Sequence, residues 1–173
     1  MTLLQGLAAL AVLAVVAFLV VGPERIWGVF GPADLGPVDF ARLERRGSPN
    51  DALACPEGFC GGARADVVSP VFAMDARALR AAMERALASE SRLERVAADA
   101  AAGTARYVQR TPLLGFPDTI ELRYLDLPGG GSSLVIYSRS KLGHSDLGAN
   151  RARIERWLAR LAATVPPAGG AIR

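Results

Sequence analysis

Hydrophobic and polar positions divide this chain into one uninterrupted apolar block and a longer region in which the two alternate. Over residues 2–22, TLLQGLAALAVLAVVAFLVVG, no side chain ionises and none after Gln5 is polar. A helix rising about 1.5 Å per residue covers the roughly 30 Å hydrocarbon core of a bilayer with such a run, so a transmembrane anchor is predicted over 1–22. Two other readings fit less well. A secretory signal asks for a basic start, a shorter apolar stretch and small residues before the cut, whereas Thr2 and Gln5 open this run and Gly22-Pro23 closes it. A core helix of a soluble domain would show polar residues every three or four positions.

Between 23 and 50 the pattern is lost among turn residues, including Gly31-Pro32, Gly36-Pro37 and Ser48-Pro49, which exclude a long regular element and predict a juxtamembrane linker. Trp27 and Phe30, with Ile26 and Val29, stand next to the anchor. An amphipathic indole favours the headgroup layer, so interfacial anchoring is expected of them, with contact to a partner's transmembrane helix as the alternative.

Periodicity returns over 51–163, the predicted folded domain. After an extended segment at 67–72, Asp75 is a candidate N-cap for a helix whose Leu79, Met83, Ala86 and Leu87 recur at helical spacing. Four strands follow at 92–97, 104–111, 119–127 and 132–139, with short turn-rich breaks between them, as an antiparallel meander requires. Alternation in the third puts Ile120, Leu122 and Tyr124 on the core face and Glu121 and Arg123 on the other. A last helix begins between Asp146 and Asn150; its Ile154, Trp157, Leu158 and Leu161 fall at i, i+3, i+4 and i+7, and Arg151, Arg153, Arg156 and Arg160 are expected largely off that stripe. Residues 164–173 read as a flexible tail. The predicted fold class is α+β: an N-terminal transmembrane helix, then a four-stranded antiparallel meander flanked by two helices, in the order helix-β-β-β-β-helix.

Composition narrows the function. With 51% hydrophobic and 21% charged residues the chain is a folded protein. Its net charge of +3 comes from arginines scattered among acids, with Lys141 the only lysine; no basic patch interleaved with aromatics is present, and no nucleic-acid partner is expected. Arg25 is opposed by Glu24, so the positive-inside rule does not fix the orientation of the anchor. Cys55 and Cys60 are disulfide candidates that would close a small loop, and such a bond persists only in an oxidising compartment, which favours a periplasmic domain. One histidine and two cysteines fall short of the four ligands of a structural zinc site, so no metal and no cofactor are expected.

The most distinctive chemistry lies between the last strand and the last helix, Ser138-Arg139-Ser140 followed by Gly143-His144-Ser145-Asp146-Leu147-Gly148-Ala149-Asn150-Arg151-Ala152-Arg153. Gly143 and Gly148 permit backbone angles that other residues avoid, Ser145, Asp146 or Asn150 is suited to cap the helix, and Arg139 is placed to pair with Asp146 or Asp118. The expected role is a hydrogen-bonded clasp of sheet to helix. An anion site built on Arg139, Ser140, Ser145, Asp146, Asn150 and Arg153 is the sharper alternative. His144 with Ser140, Ser145 and Asp146 has the residue types of a hydrolytic triad, but all lie in one short turn and no G-x-S-x-G elbow exists. With Ser48-Pro49-Asn50, Cys55-Pro56 and Phe116-Pro117-Asp118 upstream, this run resembles the family catalogued as domain of unknown function 1499 (DUF1499), over about 50–161. The resemblance implies an α+β domain near bacterial membranes without an established activity. The expectation is therefore a non-catalytic interaction module at a bacterial inner membrane, in contact with membrane lipid and serving a membrane protein complex as an accessory or assembly factor. The alternative is an anion- or lipid-headgroup-binding domain, or a hydrolase, using the connection from Arg139 to Arg153.

Overall fold

A computed structural model describes residues 2–165 and Ala168; apart from Ala168, the predicted tail beyond 165 lies outside the described residues. The apolar block forms α1 (Leu3–Val21), long and apolar enough to cross a membrane and buried nowhere along its length. Thr2 caps it, accepting from the Gln5 N–H while the Gln5 side chain accepts from the Thr2 N–H. Gly22 then takes a positive φ and Pro23 opens the short α2 (Pro23–Gly28).

The sheet has six strands rather than four. The four predicted strands are present as β3 (Leu93–Asp99), β4 (Thr104–Arg110), β5 (Pro117–Asp126) and β6 (Ser132–Ser140), preceded by β1 (Asp51–Cys55) and β2 (Val67–Val68). The spatial order is β2-β1-β6-β5-β4-β3: the meander is kept, and β1 adds to its open edge antiparallel to β6, with β2 parallel to β1 beyond it. β1 has no alternating pattern because both its faces are covered.

On one face α3 (Ala76–Leu87) and α4 (Ala149–Thr164) bury Leu79, Met83, Ile154, Trp157, Leu158 and Leu161 against Ile120, Leu122, Tyr124, Leu134 and Ile136. Asp75 caps α3 as expected, accepting from the Ala78 N–H at 2.7 Å. The other face is covered too. The Gly/Pro-rich stretch has no long regular element, yet it runs across the back of the sheet, where Phe40 and Leu43 pack with Leu53, Cys55, Cys60, Val135 and Tyr137. Its backbone is tied down by the Leu35 N–H donating to Thr119 Oγ1 and the Val38 N–H to Glu121 Oε2. Cys55 and Cys60 are disulfide-bonded inside this second core.

Candidate functional site

Strand alternation decides where the family-like run points. In β6, Ser138 and Ser140 share the helix-covered face with Ile136, and Arg139 projects from the opposite one. Register sets Asp118 of β5 beside Ser140, on the same face as Ile120. Four polar groups from the sheet thus gather at one end of a largely apolar face: Gln109, Asp118, Ser138 and Ser140, all buried.

The first turn of α4 fills that end. Asn150 and Arg153 lie one turn apart on the inner side of the helix and are both buried. The Arg153 guanidinium donates to Asp118 Oδ2 at 2.6 Å, Gln109 Oε1 at 2.6 Å, Ser138 Oγ at 2.7 Å and Asn150 Oδ1 at 2.6 Å. The Asn150 amide uses its whole capacity: Oδ1 accepts from Ser138 Oγ and Arg153, and Nδ2 donates to Ser140 Oγ at 3.0 Å and the Asn50 carbonyl at 3.1 Å. Asn50 in turn donates from its side chain to the Gly143 carbonyl at 2.8 Å, closing the connection onto the start of β1. Through Gln109 the cluster reaches Glu90, which also holds Arg156 and Arg160. Burial opposes the charge on Glu90, but these donors outweigh it and hold its carboxyl below the usual range.

The N-cap residue of α4 is Gly148, and Asp146, two residues before it, supplies the side-chain acceptor for the helix start. Its two oxygens accept from the Gly148 N–H at 3.0 Å and the Asn150 N–H at 2.7 Å, while Gly148, at φ 82°, makes the left-handed turn into α4. Ser145 is exposed and accepts from the Leu147 N–H. His144 is exposed as well.

Two expectations need correction. Arg139 pairs with neither Asp146 nor Asp118, because it emerges on the far side of the sheet; there it stacks near the Tyr137 ring and donates to the Gly36 carbonyl. Burial, reinforced by nearby Arg46, pushes the Arg139 guanidinium below its usual pKa. Arg153, in turn, is not off the apolar stripe but at its head, and it takes the role expected of Arg139. Of the candidate residues the structure brings together Ser140, Asn150 and Arg153, with Asp146 bonded to the Asn150 backbone; Arg139 and Ser145 stand apart. Gln109 was missed, although its place two residues after Tyr107 in an alternating strand marks it as inward-facing.

Behind the sheet several polar groups are also used internally, although the buried Arg139 Nε has no partner among the described residues. Asp51 accepts from Arg45 at 2.5 Å and from the Tyr137 hydroxyl at 2.6 Å; burial works against its charge, but these bonds hold its carboxyl below the usual range. Burial pushes the Glu121 carboxyl up, only partly offset by Arg106 at 4.0 Å. Lys141 donates to the carbonyls of Gly31 and Pro32. A cleft of about 700 Å³ lies at the other end of the sheet, between α3 and the β3–β4 turn, away from the run. Among the described residues no three His, Cys, Asp or Glu side chains are grouped to hold a metal ion. The arrangement does the chemistry of cohesion: donors and acceptors from β4, β5, β6, the start of β1 and α4 are consumed by one another.

No curated protein and no solved structure matches the chain. Residues 52–161, from β1 through most of α4 and including the whole run described above, match the family described as "Protein of unknown function (DUF1499)", and the chain belongs to that family.

Proposed function

We propose that the protein is a membrane-anchored, non-catalytic interaction module that serves a membrane protein complex as an accessory or assembly factor, with its folded domain on the periplasmic side of a bacterial inner membrane. The observation that carries this reading is the fate of the family run. Its Asn150 and Arg153 side chains, with Asp118 at 2.6 Å from Arg153, are buried and mutually satisfied, so they hold the domain together and offer no open set of donors to a substrate. Support for the anchor comes from α1, wholly apolar after Gln5 and unburied. Support for the compartment comes from the Cys55–Cys60 bond, a cross-link that reducing cytoplasm does not sustain.

Gentle detergent extraction of the tagged full chain, followed by sizing and identification of what travels with it, tests the reading. A stoichiometric membrane-protein companion is expected. Recovery of the intact chain, α1 included, as a detergent-free soluble species would refute it. Fusion of alkaline phosphatase to the C-terminus reports the side of the membrane, and an inactive enzyme beside a fluorescent cytoplasmic reporter would overturn the periplasmic assignment.

A further inference from the structure

The anchor is joined to the domain by a rigid contact. Six residues beyond α1, the Trp27 indole N–H donates to the Leu114 carbonyl at 2.6 Å, and its ring lies 4.5 Å from that of Phe116. Trp27 is also in edge contact with Phe18, inside α1 itself. Glu24 pairs with Arg110 at 2.9 Å, closing the other flank. Gly115, at φ 66°, is required here, since a Cβ would sit 2.8 Å from Pro23 Cβ. Four contacts therefore clamp α2 onto the turn between β4 and β5.

That turn has an unusual surface. Leu113 is 86% exposed and Leu114 43%, and beyond the clamp Val29 and Phe30 are exposed at 78% and 61%. These apolar side chains surround the point where α1 meets the domain, and Arg25 and Arg92 are exposed nearby, Arg92 holding the turn through the Thr111 and Pro112 carbonyls. Apolar tips rimmed by cations suit the headgroup–acyl boundary of an anionic bilayer. We infer that the β4–β5 turn is a second membrane contact, with Leu113 and Leu114 inserted beside α1 so that the domain sits end-on against the bilayer. The occupant is lipid because the clamp fixes the turn to the very residues by which the chain leaves the apolar helix. Strand register extends the consequence: the β6–α4 connection, with Leu147 96% exposed, emerges from this same end of the sheet. The family run would then face the membrane surface.

This inference rests on α1 spanning the bilayer, and the test separates the two. The full chain, its disulfide intact, carries a nitroxide on one introduced cysteine and is reconstituted in nanodiscs of phosphatidylcholine and phosphatidylglycerol. The sites are Leu113→Cys, Leu10→Cys within α1, and Gly129→Cys in the β5–β6 turn, where a side chain meets open space about 30 Å from the first turn along β5. All three lie on the protein's exposed surface, outside its packed core, so the fold tolerates them. Collision with oxygen relative to a water-soluble nickel chelate is expected to be several-fold higher at 113 than at 129, and highest at 10. A ratio at 113 equal to that at 129, with 10 still in lipid, overturns the seating and leaves the anchor standing. Shielding of 113 from both reagents overturns it in favour of a protein contact, and a water-exposed ratio at 10 removes anchor and seating together.

Discussion

Replacing Asp118 by Asn leaves the side chain's volume and one oxygen in place and removes the counter-charge of Arg153. The two side chains are 2% and 6% exposed, so water screens little of what is lost. The guanidinium keeps its neutral acceptors on Gln109, Ser138 and Asn150, which moderates the damage. Arg153→Met is harsher, since among the described residues Asp118 accepts no other side-chain hydrogen bond and its carboxylate is stranded. Breaking a buried pair costs about 3–5 kcal/mol, which sets Asp118→Asn near the lower figure and Arg153→Met near the upper. At roughly 4 °C per kcal/mol the midpoint of thermal unfolding falls by about 12–20 °C.

The double variant discriminates between a coupled pair and two independent sites. With both charges gone neither is left buried alone, so its loss is expected to be smaller than the sum of the single losses by about 2–3 kcal/mol. Thermal and denaturant unfolding of the full chain in mild detergent, followed by near-ultraviolet circular dichroism, gives all four corners of the cycle; Trp157, fully buried one turn beyond Arg153, dominates that signal from the core. Single losses below about 1 kcal/mol, the size typical of solvated pairs, or strict additivity, would refute the claim that this cluster fastens α4 to the sheet.

Asp146→Ala removes the acceptor for the Gly148 and Asn150 N–H groups and should cost about 1 kcal/mol, with Asp146→Asn recovering part of it in the same melts. The Cys55–Cys60 bond closes a loop with a sequence separation of 5. Chain entropy assigns such a loop about 2 kcal/mol, so reduction should lower the melting midpoint, and thiol reagents should find neither cysteine before reductant is added. Because burial raises the Glu121 pKa in the folded state, its contribution is fully present below the unfolded carboxylate value and is lost as pH rises through the folded one. Glu121→Gln should therefore gain on the parent in melts from about pH 4 upward. Asp51, whose folded pKa is depressed, has the opposite sign, and Asp51→Asn should flatten the stability lost on acidification through and below about pH 4.

Both helices of the domain were legible because each has a clean 3.6-residue period, and the meander because apolar segments are separated by short turn-rich breaks, even though both faces of β5 and β6 are covered. β1 was not, since a short segment buried on both sides has no period to read and its partner β6 lies more than eighty residues along the chain. Composition misled over 23–50: glycine and proline break regular structure, but they leave Phe40 and Leu43 free to pack, and those two close the second core. Arg153 is a different failure. Positions 150, 153, 154 and 157 continue one helical stripe, and weighing hydrophobicity alone dropped its two polar members, Asn150 and Arg153, which the structure buries with the rest.

The alternation of Ser138, Arg139 and Ser140 also gives the run a part in choosing the register of β6. In the observed pairing the small hydroxyls lie beneath α4 and the arginine lies behind the sheet. A slip by one residue exchanges the faces, turning Arg139 into the space held by Arg153 and sending both serines to the rear. Two guanidinium groups would then share the single carboxylate of Asp118 in a buried site, and the Asn150 amide would lose the Ser138 and Ser140 hydroxyls. Like charges and orphaned polar groups penalise that alternative far more than an apolar strand end would. Polar residues at this end of the core, costly as they are to bury, thus discriminate against the wrong pairing of the strand that joins β1 to the meander.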